Sequence, residues 1–160
     1  MTRVTILGGD QDFTSVTGNA PATELEGTVR TNVYMRISTN ADADKYYYNR
    51  YFPKSGTYRM KMTYQTNTSG AILNLGLDSD STALASSLDM YNGSTVQNNE
   101  YFTTIEVARG NHKITLFVND NHASSAGFLV RWAQIKFDLI NEHPVLGAEG
   151  VRKSSGVSWE

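Results

Sequence analysis

Apolar and polar residues alternate along much of this chain, the pattern of strands that bury one face and show the other to water. Over 57–66, Tyr58, Met60, Met62 and Tyr64 share one side while Arg59, Lys61, Thr63 and Gln65 share the other. The same period of two runs through 29–37, where Val33, Met35 and Ile37 oppose Arg30, Tyr34 and Arg36. It recurs at Ala71, Leu73, Leu75 and Leu77, at Tyr101, Thr103, Ile105 and Val107, and at Ile114, Leu116 and Val118. Along 128–140 the inward set Phe128, Val130, Trp132 changes phase to Ala133, Ile135, Phe137, Leu139, so one inserted residue, a β-bulge, is expected near Trp132. No helical repeat is sustained.

Turn residues punctuate these runs. Pro53-Lys54-Ser55-Gly56 and Arg109-Gly110-Asn111 predict two hairpins, one joining 45–52 to 57–66 and the other joining 101–108 to 112–118. The stretch 79–100 is too long for a structureless loop, so a further strand is expected at about 84–90. A short strand near 4–7 precedes a Thr/Ser/Gly/Ala connector over 14–23. The reading is all-β: an antiparallel β-sandwich of the jelly-roll kind with about eight to ten strands. Its organisation is a short strand and connector at 1–26, the sandwich at 27–140, and an irregular tail at 141–160 that Trp159 would anchor.

Composition narrows the function more than the fold. The 160 residues suit one domain, and 39% hydrophobic with 19% charged residues excludes a disordered chain. A net charge of -2 with no Lys/Arg run removes the phosphate-neutralising stripe that nucleic acid binding needs. No cysteine is present, which excludes disulfides, thiolate chemistry and Cys-ligated zinc. The start, MTRVTILGGDQDF, has no basic and apolar leader, and no run of apolar residues is long enough to span a bilayer. No membrane partner is expected. An extracellular or virion location therefore implies a leader removed before the numbering, or release with virus particles.

Strand parity then says where a site would sit. In an antiparallel sandwich successive connections alternate between the two ends. Counting the strand at 84–90, the connections 38–44, 67–70, 91–100 and 119–127 share one end, while 53–56, 79–83 and 109–111 share the other. The first end carries the long loops. It collects Asn40, Asp42, Asp44, Asn98 and Asn99, and the eight residues taken as ligand-binding candidates: Tyr46, Tyr91, Asn92, Tyr101, Asn119, Asp120, Asn121 and His122. Tyrosine rings suit the C–H face of a sugar, and Asn and Asp suit its hydroxyls. The same residue types also fill ordinary turns.

Other constellations are weaker. Asp78-Ser79-Asp80-Ser81 has alternate carboxylates but lacks the Gly and Glu of a calcium loop, and reads as a solvated turn. His112, His122 and His143 show no paired metal spacing. Asp42 with Asp44, or Glu100 with Glu106, are the conceivable acid and base of a glycosidase, but isolated loop acids are usually just solvated. Nucleophile-elbow, P-loop and dinucleotide fingerprints are missing. Arg30, Arg36, Arg59 and Lys61 make outward faces basic; joined by Tyr34, Tyr47, Asn49 and Tyr51 they would suit a polar subunit contact.

From about residue 27 to 140, the segments GTYRMKMTYQTNTSGAILNLGLD, NEYFTTIEVARGNHKITLFVN and FLVRWAQIKFDL, in that order, resemble carbohydrate-binding modules of the family-six type and galactose-binding-like jelly rolls generally. The resemblance implies a lectin-like, non-catalytic domain that takes an oligo- or polysaccharide. It implies no cofactor beyond a structural calcium ion, for which Glu24 or Glu26 are the candidate ligands. Two departures touch the ligand: Tyr101 opens a strand that such modules precede with Trp, and Gly127-Phe128 stands where they carry Asn. Similar modules are appended to bacteriophage tail spikes and fibres, which would make the chain a host-recognition domain and a homo-oligomer, trimeric in a fibre. Two rival readings remain: a structural or trimerising fibre domain without a sugar site, and a polysaccharide hydrolase.

Overall fold

The computed structural model describes residues 1–17, 22–25, 33–39, 44–94 and 96–143, with side chains described at 1–14, 44–94 and 96–143. Among them are eleven strands: β1 (Arg3–Leu7), β2 (Phe13–Thr17), β3 (Ala22–Leu25), β4 (Val33–Thr39), β5 (Lys45–Phe52), β6 (Gly56–Thr66), β7 (Ala71–Leu77), β8 (Asp80–Asp89), β9 (Gln97–Val107), β10 (Gly110–Asn121) and β11 (Phe128–Glu142). They form two antiparallel sheets. The first runs β3-β4-β11-β6-β9, with β1 also on β11, and the second runs β2-β5-β10-β7-β8. Among the described residues no helix is long and apolar enough to cross a membrane.

Alternation decides which residues meet between the sheets. Tyr58, Met60, Met62 and Tyr64 of β6, Leu73 and Leu75 of β7, and Ile114, Leu116 and Val118 of β10 are all buried. The phase change in β11 is the expected bulge: its pairing with β6 slips between Trp132 and Gln134. The inserted Ala133 also marks a handover along the other edge of β11. There β4 pairs with Phe128 to Trp132 and β1 with Gln134 to Asp138, and the Gly8 N–H closes the gap by donating to the Ala133 carbonyl at 2.8 Å.

Aromatic rings hold the sheets together. The indole N–H of Trp132, in the first sheet, donates to the Tyr46 hydroxyl of the second at 2.7 Å, with both residues buried. Trp132 and Tyr48 pack edge to face at 5.9 Å, and Phe52 does so with both Tyr58 and Phe137 at 5.2 Å. Such pairs add about 0.5–1.5 kcal/mol each beyond the area they bury. Arg50 of β5 ties down the amino-terminal segment by donating to Asp10 at 3.0 Å, to Asp12 at 2.8 Å and to the Thr5 carbonyl at 3.3 Å.

Several expectations are corrected. Both predicted hairpins are arches between sheets: β5 and β10 lie in the second sheet, and β6 and β9 in the first. Turn residues encode a reversal of direction, and nothing local says whether the chain returns to its own sheet. The described strands number eleven rather than eight to ten, because the expected connector over 14–23 contains most of β2 and the start of β3, which pair with β5 and β4. Short Thr/Ser segments bury too little to announce themselves as strands. Thus the first 26 residues contribute to both sheets, and β11 runs on to Glu142.

Candidate functional site

The end of the sandwich that carries the 67–70, 90–96 and 122–127 connections is bound together by its backbone. Asn67 N–H donates to the Met90 carbonyl at 3.1 Å, and Asn92 N–H to the Asn67 carbonyl at 2.8 Å. From the third connection, Ala126 N–H reaches the Thr68 carbonyl at 3.0 Å and the Ser125 hydroxyl reaches that of Gly70 at 2.8 Å. Gly70 is required here. A Cβ on it would overlap the Met90 carbonyl and lie 2.7 Å from the Tyr91 nitrogen, so only glycine lets the 90–96 connection come this close. A fourth connection arrives at Asp44, whose carbonyl accepts Val118 N–H at 2.8 Å.

On this frame Tyr91 and His122 stack face to face, with centroids 4.5 Å apart and planes 7° from parallel. Ser124 N–H donates to His122 Nδ1 at 3.0 Å, which makes Nδ1 an acceptor and leaves Nε2 to carry the ring hydrogen. Asn67 lies beneath. Its side-chain oxygen accepts Ser69 N–H at 2.8 Å, while its amide nitrogen is buried with no hydrogen-bond partner among the described residues. A buried amide with unused donors is costly enough to mark a place where a polar partner belongs.

The eight candidates divide. Tyr91 and His122 come together, and Asn92 is joined to them through its bond with Asn67. Asn121 is the last residue of β10, and its amide donates to the Gly127 carbonyl at 3.2 Å across the third connection. Asn119 and Asp120 are exposed near the end of β10, where its pairing with β7 slips, rather than in a loop. Tyr46 is corrected from site to core: it is 2% exposed, its hydroxyl is taken by Trp132, and burial pushes its ionisation well above the usual tyrosine range. Tyr101 lies within β9 rather than at its start, opposite Met62, half-buried against the core. Asn67 was not among the candidates. Its turn was legible, but nothing in the residue order reveals an amide left unpaired by packing.

Glu100 and Glu106 lack the geometry of a glycosidase pair. Both sit on β9, six residues apart, which at about 3.3 Å per residue is about 20 Å, far beyond the roughly 5–9.5 Å such pairs need. Glu100 pairs with Lys61 at 3.1 Å. Glu106 accepts from Thr57 and contacts His143, and these bonds hold its carboxyl below the usual range. At the opposite end, Asp78 meets His112 Nδ1 at 2.8 Å and accepts Lys113 N–H at 3.1 Å. Burial alone would raise the Asp78 carboxyl, yet these bonds bring it below its ordinary value. Among the described residues no three His, Asp or Glu side chains gather as metal ligands. Asn40, Asp42, Glu26 and Arg30, and the side chains of Glu24, Tyr34 and Arg36, lie outside what is described, as do residues 144–160 with Trp159.

Solved carbohydrate-binding modules of families 6, 35 and 36 superpose on this two-sheet antiparallel sandwich, and this chain has their fold. A family 35 module from an environmental isolate superposes with a TM-score of 0.59 at 16% identity, covering 89% of this chain and 97% of that one. The family 6 module of a Cellvibrio mixtus lichenase, solved with cellotriose, gives 0.54 at 15%, covering 86% and 98%. A xanthan lyase from Paenibacillus gives 0.65 at 17%, but this chain spans 77% of its own length and only 12% of the enzyme. Neither protein-family models nor curated proteins gave a match.

Proposed function

We propose that this chain is a non-catalytic carbohydrate-binding module that holds an oligo- or polysaccharide on the Tyr91–His122 platform. The observation that carries this reading is the parallel stack of Tyr91 and His122, contributed by two different connections that are joined by backbone bonds to the turn holding a buried amide with donors to spare. A flat aromatic face takes the C–H side of a sugar, and the ring N–H of His122 with neighbouring amides serves its hydroxyls. End-to-end likeness to modules described as carbohydrate-binding supports the same reading. Catalysis is disfavoured because the two glutamates considered for it lie far apart and are already engaged.

In this reading the module works outside the cell or on a virion, attached to a larger enzyme or fibre, and repetition raises weak single-site affinity by avidity. A glycan array probed with the full chain tests it. At least one glycan family is bound, and Tyr91→Ala and His122→Ala each reduce that signal about tenfold while the far-ultraviolet spectrum is unchanged. An array with no signal, or one indifferent to both substitutions, refutes the reading.

A further inference from the structure

The edge of a β-sheet leaves backbone N–H and C=O groups that can recruit another strand, and folds commonly blunt such edges. Two such devices are used here. β1, β2 and β3 are short, at five, five and four residues. β8, the far edge of the second sheet, slips twice against β7 and carries Ser87 at a φ of 57°, so its outline is irregular. β9, the far edge of the first sheet, has neither protection. It runs eleven residues, Gln97–Val107, and pairs with β6 from Val107 opposite Gly56 to Gln97 opposite Thr66 without a slip. It contains no Lys and no Pro, the residues that most often keep an edge from pairing. Its two acids are occupied by their own sheet, Glu100 with Lys61 and Glu106 with Thr57 and His143. Among the described residues no strand lies on its other side.

This strand is complementary to itself. Phe102 is its midpoint, so the two-fold antiparallel register that pairs all eleven residues sets Phe102 against its own counterpart in a second copy. In that register Glu100 faces Thr104 and Glu106 faces Asn98, so no two like charges stand opposite one another. On the axis, Phe102 is 53% exposed, a large apolar side chain that the same ring from the second copy would cover. On the inward face, Tyr101 faces Thr103 and Asn99 faces Ile105. Tyr101 and Ile105 are only partly buried against the core, and a neighbouring strand completes their cover. Pairing along the whole strand adds about ten backbone hydrogen bonds.

We propose that the chain forms a two-fold dimer by antiparallel pairing of β9 with β9 of a second copy, centred on Phe102, which joins the first sheets of both copies into one continuous sheet. The two loop ends then point in opposite directions, so the Tyr91–His122 platforms face away from each other; the dimer itself does not depend on what they hold. Sedimentation velocity of the full chain tests it. At about 100 µM the wild type sediments as a dimer, and Phe102→Lys and Phe102→Glu, each setting like charges against each other on the axis, weaken dimerisation about tenfold or more. Their far-ultraviolet spectra match the wild type, and an equimolar mixture of the two variants regains the dimer. Because the chain has no cysteine, a single introduced one reads the register. Phe102→Cys gives a covalent dimer under mild oxidation, whereas Thr104→Cys, whose two copies stand about 13 Å apart along the strands, does not. A wild type that stays monomeric at about 100 µM, dimerisation indifferent to both charged substitutions, or cross-linking through Thr104→Cys equal to that through Phe102→Cys overturns the proposal.

Discussion

Tyr46 shows how much rests on one atom. Tyr46, Tyr47 and Tyr48 read as a run of ring-bearing residues, and parity places Tyr46 and Tyr48 inward with Tyr47 outward. Three adjacent tyrosines hide that parity, since each suits either face. Inside, the Tyr46 hydroxyl is the acceptor for Trp132, so Tyr46→Phe strands a buried indole N–H and costs about 1–3 kcal/mol in urea unfolding. Glycan binding by Tyr46→Phe should equal that of the wild type; a folded variant that loses binding would return Tyr46 to the site. Asp78 supplies a pH-dependent term. Its carboxyl is acidified in the folded state, so the contribution is complete above about pH 4–5, where the unfolded carboxyl is ionised, and is lost as pH falls through the folded value. The exposed pair contributes at most about 1 kcal/mol. Stability of the wild type and of Asp78→Asn should therefore differ at pH 7 and converge near pH 3, and a constant gap would contradict this.

Among elements, the strands were legible and their partners were not. Alternation located β6, β7, β10 and β11, and the phase change along β11 marked its bulge, because those side chains face a continuous core on one side. Loop length alone called for β8. Sheet membership of the arches at 53–55 and 108–109 depends on contacts between residues far apart in the chain, which no local pattern carries. The loop end was found by counting crossings, and its connections do meet. Gly70 is the point where they touch, so Gly70→Ala should force the 67–70 and 90–96 segments apart. The expected result is a loss of several kcal/mol or a misfolded product, since backbone rather than a flexible side chain must shift. Arg50→Ala should cost about 1–3 kcal/mol by releasing the segment around Asp10 and Asp12. Near-native urea midpoints for either variant would refute these assignments.

Taken whole, the molecule is an aromatic-cored sandwich whose connections meet at one pole. Hydrogen bonds through Asn67 and Gly70 tie the connections that carry Tyr91 and His122 to one another. The meeting of these connections was foreseen in the residue order, whereas the buried Asn67 amide was not, because only packing between residues far apart in sequence leaves it unpaired. Amide chemical-shift mapping, with the best-bound neutral glycan from the array added to isotope-labelled chain, tests the central claim most directly. The account predicts the largest shifts at Asn67 to Gly70, at Tyr91 to Gly93 and from His122 to Gly127. Shifts confined to other parts of the sandwich, with those three segments unmoved, would contradict it.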